Sequence, residues 1–125
     1  MPITFESAEN GRLWIVTVKQ RWSVSEFLET YPPMKAHLDA VQWNVQLLLD
    51  FSDASMWTGN ALLARHAPYN NHPNRGRAAV ITTSPMLKAM SDAMIKISHI
   101  DYVHFFSTKA DGMNFLQPFI QEQQV

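Results

Sequence analysis

The chain contains no cysteine, so disulfide staples, thiolate-bound metals and a cysteine nucleophile are excluded. Its four glycines form neither a Gly-x-Gly-x-x-Gly nor a Gly-x-x-x-x-Gly-Lys run, so the common phosphate-cradling loops are missing. Neither sign of charge prevails: ten Lys and Arg stand against eleven Asp and Glu, a formal net charge of −1. The densest basic spot is Arg75 with Arg77, beside Asn74 and Gly76, far short of the stripe of cations that follows a phosphate backbone. Nucleic acid is not expected as a partner. No run of about eighteen apolar residues occurs, and Met1-Pro2-Ile3-Thr4-Phe5-Glu6 lacks the basic start and apolar stretch of a leader. No membrane span is expected, and a cytoplasmic location is.

What is present suits one domain over residues 1–125. A hydrophobic share of 46% and a charged share of 17% are ordinary for a globular chain, and this length buries about two-thirds of its unfolded surface. Ile3–Phe5 and Leu13–Val18 are β-prone runs around Asn10-Gly11, a pair suited to the positive φ of a tight turn. Ser23-Val24-Ser25-Glu26 has the Ser-x-x-Glu spacing in which each side chain satisfies an orphan amide at a helix start. That helix must stop or kink at Tyr31-Pro32-Pro33 and resume to about Ala40. Val45–Phe51 is a near-continuous apolar run, the pattern of a central strand buried on both faces.

A second helix is expected over Thr58–Asn70, closed by Pro68, then a strand over Ala78–Thr82. Ser84-Pro85 reads as an N-cap followed by proline in the first turn. Met86, Met90, Met94 and Ile97 recur at helical spacing, so this stripe is expected to face the sheet. Tyr102–Phe106 forms the last strand, and Thr108-x-x-Asp111 opens a closing helix with Met113, Leu116, Phe119 and Ile120. The order β-β-α-β-α-β-α-β-α gives an α/β fold with a mixed, mostly parallel five-stranded sheet and about four helices.

With Leu47-Leu48-Leu49-Asp50-Phe51-Ser52-Asp53-Ala54 at the central strand and Gly76-Arg77-Ala78-Ala79-Val80-Ile81 opening the next, the chain resembles the SpoIIAA-like, STAS-related proteins. The resemblance implies a small sheet with helices packed mainly on one face, used as a regulator, a transporter appendage or a stand-alone bacterial protein. In the anti-sigma-factor antagonists of this fold, a serine at a helix start after the central strand is phosphorylated to release a partner. Aligned without gaps on Asp50-Phe51-Ser52, that position falls on Gly59, after Thr58, so the switch serine is missing and no such phosphorylation is expected.

The sharpest candidate for a ligand site is the segment after the central strand. Asp50 and Asp53 precede it, Trp57 offers an apolar wall, and Thr58, Gly59 and Asn60 would place amides and polar side chains at a helix start for an anion. The plainer reading is that Thr58 caps the helix and Trp57 fills the core. The five histidines, His37, His66, His72, His99 and His104, form no His-Glu-x-x-His motif, so neither a metal nor another cofactor is expected. No Gly-x-Ser-x-Gly elbow occurs either, and no catalytic residue can be assigned.

Large side chains on both faces of the last strand suggest a homodimer through a sheet face or edge, with Trp14, Tyr102 or Phe106 near the contact. The function these features support is a non-catalytic STAS-like binding or regulatory module for a protein partner or a small apolar or anionic ligand. The alternative is a small enzyme, or a lipid or ligand carrier, using a pocket at Asp53–Asn60.

Overall fold

The computed structural model describes residues 2–122. β1 (Ile3–Ala8) and β2 (Leu13–Ser23) pair antiparallel across a 3-10 turn at Glu9–Gly11. Asn10 and Gly11 there hold φ of 57° and 85°, a conformation glycine adopts freely and Asn tolerates. Ser23 closes β2 and caps α1 (Val24–Leu28). Its hydroxyl accepts the Glu26 amide at 3.1 Å, and the Glu26 carboxylate accepts the Ser23 amide at 3.2 Å. The break expected at the prolines falls just ahead of them, and α2 (Tyr31–Ala40) carries Pro32 and Pro33 in its first turn, where amides have no intrahelical acceptor.

β3 (Val45–Thr58) then runs parallel to both β2 and β4 (Arg75–Ile81), and β4 is followed by α3 (Pro85–Ile97), β5 (Val103–Phe106) and α4 (Lys109–Glu122). β5 pairs parallel with β4, so the five strands lie in chain order with only the β1–β2 pair antiparallel. β3 is interior, as expected, but longer than its apolar run. Up to Asp50 it pairs with both neighbours; beyond that it pairs with β2 alone, through Asp53, Ala54, Trp57 and Thr58. Two register shifts in this stretch bend it, as bulges do.

This extension overturns the helix expected over Thr58–Asn70. Thr58 ends β3, Gly59 turns the chain at φ 102°, and two 3-10 segments follow, Ala61–His66 and Pro68–Asn71. Pairing with β2 takes Thr58 into the strand, and the segment left between the Gly59 turn and Pro68 winds as 3-10 helix.

Alternation along β3 sends Leu47 and Leu48 to opposite faces, and each face has its own core. Trp14, Val16, Val18, Leu47, Ala78 and Val80 pack beneath α1, α2, Tyr69 and α3. Leu13, Ile15, Leu48, Ala79 and Ile81 pack against Leu116 and Ile120 of α4. Helices therefore lie mainly on one face, yet the other is covered as well. Trp14 and Tyr102, expected near a dimer contact, are buried inside the first core, and Phe106 is half-buried, 5.3 Å from the Phe115 ring of α4. No described helix is long and apolar enough to cross a membrane.

Candidate functional site

The segment from Asp50 to Asn60 is extended strand followed by a turn, not a loop before an α-helix. Asp50 is buried, and its carboxylate accepts the Ser52 amide at 3.0 Å and the Ser52 hydroxyl at 2.6 Å. Asp53, Thr58, Gly59 and Asn60 are exposed. Trp57 is half-buried, its ring 6.1 Å from that of Trp22. Asp50 thus lies in the body of the sheet, Asp53, Trp57 and Thr58 in the extension paired with β2 alone, and Gly59 and Asn60 in the turn after it, so the α-helix start that motivated an anion site there is missing.

A cavity of about 120 Å³ lies elsewhere, between the first face of the sheet and α3. Its floor is Leu47, Leu49, Val80 and Phe105, and its roof is Leu87, Met90, Met94 and Ile95 of α3. Trp22 and Phe51 bound one end and Tyr102 the other. The sheet side follows from strand alternation, which puts Leu49, Val80 and Phe105 on one face of adjacent parallel strands. Leu49 is half-buried although its neighbours on both sides, Leu48 and Asp50, are buried, because open space lies above it.

The roof departs from expectation. Ser84 caps α3 as foreseen, its hydroxyl accepting the Leu87 amide at 3.2 Å. The stripe Met86, Met90, Met94, Ile97 does not face the sheet as a unit, because Met86 is 71% and Ile97 64% exposed, and Met90 and Met94 are half-buried over the cavity. Leu87 is the only buried residue of the helix. Only the middle of the stripe meets the fold because the helix stands off the sheet over a void, which methionines tolerate better than branched side chains.

The three phenols around the cavity are hydrogen-bonded. The Tyr31 hydroxyl donates to the Ala64 carbonyl at 2.7 Å, and that of Tyr69 donates to the Val45 carbonyl at 2.6 Å while accepting the Gly76 amide at 2.9 Å. Tyr102 donates to the Asn70 side-chain oxygen. Burial pushes all three phenols above their ordinary range; for Tyr102, Arg75 offsets part of the rise and Asp101 adds to it, leaving it at about 12. None is a ready base near neutral pH. The Trp22 indole N–H is buried with no acceptor among the described residues.

No sequence signal pointed to Leu49, Val80 or Phe105 as lining residues, since a strand position under a void reads like any core position. The methionines were legible, but as core.

No protein-family model matches the chain, and no curated protein matches it. A solved structure does: an uncharacterised protein of the DUF3478 family with a SpoIIAA-like fold from Shewanella loihica PV-4, at a TM-score of 0.64 and 14% identity over 91% of each chain. The chain therefore has a SpoIIAA-like fold.

Proposed function

We propose that this SpoIIAA-like domain is a binding module whose ligand is a small apolar molecule seated between α3 and the sheet. The observation that carries the reading is the void over Leu49, roofed by a thirteen-residue helix that buries only Leu87. Interiors are normally packed to crystal density, and voids beyond the size of a water are few. An apolar ligand seated in such a cavity gains dispersion contacts with its lining.

Binding rather than chemistry is supported by the lining. Its phenols are hydrogen-bonded and raised in pKa, and the remaining lining side chains are almost all apolar. The Asp53–Asn60 segment does not line this cavity; the Trp57 ring lies 6.1 Å from that of the lining residue Trp22.

Titration with neutral N-phenyl-1-naphthylamine, followed by its fluorescence, tests the reading. The protein is expected to bind one equivalent, and Leu49→Trp, which fills the void from the rigid strand, to abolish binding while leaving the denaturation midpoint near its original value. No binding, or equal binding in a folded Leu49→Trp variant, would overturn it.

A further inference from the structure

The apolar cavity adjoins a second space of opposite character, with Tyr102 as a shared wall. Asn70, Ile100 and Tyr102 line both the cavity and a recess of about 200 Å³ whose other walls include Arg75, Ser98 and His99. The two spaces meet at the Tyr102 ring and its hydrogen bond to Asn70. One is walled by hydrocarbon and the other by polar groups.

Arg75 gives the recess its chemistry. It is half-buried, and its guanidinium lies over the Tyr102 ring, 4.2 Å from the centroid. Among the described residues it forms no ion pair; the two pairs present join Asp39 to Lys35 and to His72. Asp101 also lines the recess, but it is exposed and makes no ion pair with Arg75. A partly desolvated guanidinium, over an aromatic ring and with no carboxylate partner among the described residues, has a fork of donors that suits a planar anion.

The apolar space is elongated. Its floor includes Leu47, Leu49 and Phe51 of one strand, a span of about 13 Å at the usual rise per residue. A chain suits that floor better than a compact ring.

We infer that the two spaces form one site for a single-chain amphiphile, with its alkyl chain between α3 and the sheet and a carboxylate head on Arg75. This rests on the reading of the cavity as a ligand site and adds the class of ligand and the residue that selects its head.

Calorimetric titration with decanoate and 1-decanol separates the two claims, because the probes share a chain and differ in charge. Decanoate is expected to bind about tenfold tighter than decanol, the scale of a charge-assisted bidentate contact. Arg75→Gln is expected to remove that preference and leave decanol unchanged. Arg77→Gln, an exposed arginine over the Phe119 ring of α4, is expected to change neither.

Equal affinity for both probes, or a decanoate preference that survives Arg75→Gln, would overturn the assignment of the head while leaving the apolar site standing. Loss of both probes in Arg75→Gln would make Arg75 a structural prop and overturn it too. Binding of neither probe to the unaltered protein would overturn this inference and the proposed function together.

Discussion

Leu48 shows what one residue contributes when the sheet is covered on both sides. It is fully buried, on the α4 side of the interior strand, so Leu48→Ala removes packing that nothing nearby replaces. A loss of about 2–5 kcal/mol is expected in chemical denaturation. Gly59 carries a different constraint. At φ 102°, a Cβ there would lie 3.2 Å from the Val24 Cβ, so Gly59→Ser is expected to cost about 1–2 kcal/mol in the same assay. The position aligned with the switch serine of the sigma-factor regulators therefore disfavours any side chain, and it turns the chain after a strand rather than opening an α-helix.

Asp39 adds a pH effect. Hydrogen bonds from Lys35, then from His72, hold its carboxyl below the usual carboxylate range. A depressed folded-state pKa means stabilisation present above the unfolded carboxylate pKa and lost as pH falls through the folded one. Asp39→Asn is thus expected to flatten the acid limb of a midpoint-against-pH curve slightly, since Asp39 is exposed and solvent screens it.

The two longest helices are held differently. α4 contains Gly112 and Pro118, both poor in a helix interior, yet Leu116 and Ile120 are fully buried and Gly112 lies against the sheet. A Cβ at Gly112 would come within 2.4 Å of Ile81 Cδ1. Packing, not propensity, sustains this helix, and Gly112→Val is expected to cost at least about 1–3 kcal/mol by overpacking, read by thermal unfolding. α3 is the reverse case, with a good cap and a long apolar stripe but one buried residue. Hydrogen exchange is expected to be faster for α3 amides than for α4 amides and to slow in α3 when an apolar ligand fills the cavity. Equal protection without ligand would contradict a roof that stands off the sheet.

For the whole molecule, occupancy and assembly follow from where the covers lie. A ligand at a hundred times its dissociation constant stabilises the native state by about 2.7 kcal/mol, so saturating N-phenyl-1-naphthylamine is expected to raise the melting temperature of the protein but not of Leu49→Trp. Both faces of the sheet are covered within one chain, and Trp14 and Tyr102 are used up in that cover. An edge, β1 or β5, offers one route to a homodimer, by strand addition. Light scattering at tens of micromolar is expected to give the 14.3 kDa of one chain; twice that mass would direct attention to an edge.

Wherever neighbours in the chain decided the outcome, the sequence alone was sufficient. Asn10-Gly11, the Ser23–Glu26 box, the prolines opening α2 and the Ser84 cap each act within a few residues, through backbone geometry that residue type dictates. The apolar run Val45–Phe51 likewise announced an interior strand, because burial on both faces leaves no polar period, and the mostly parallel sheet followed from strands alternating with helices after the opening hairpin. Residues after Phe51 were decided by a partner: pairing with β2 drew Asp53 to Thr58 into the strand, although Ala61-Leu62-Leu63-Ala64-Arg65 suits a helix. The cavity was least legible of all. Periodicity tells which face of α3 is apolar but not how far that face stands from the sheet. That distance depends on Leu49, Val80 and Phe105 from three strands and on the α3 side chains above them, none of them near the others in sequence except through the fold.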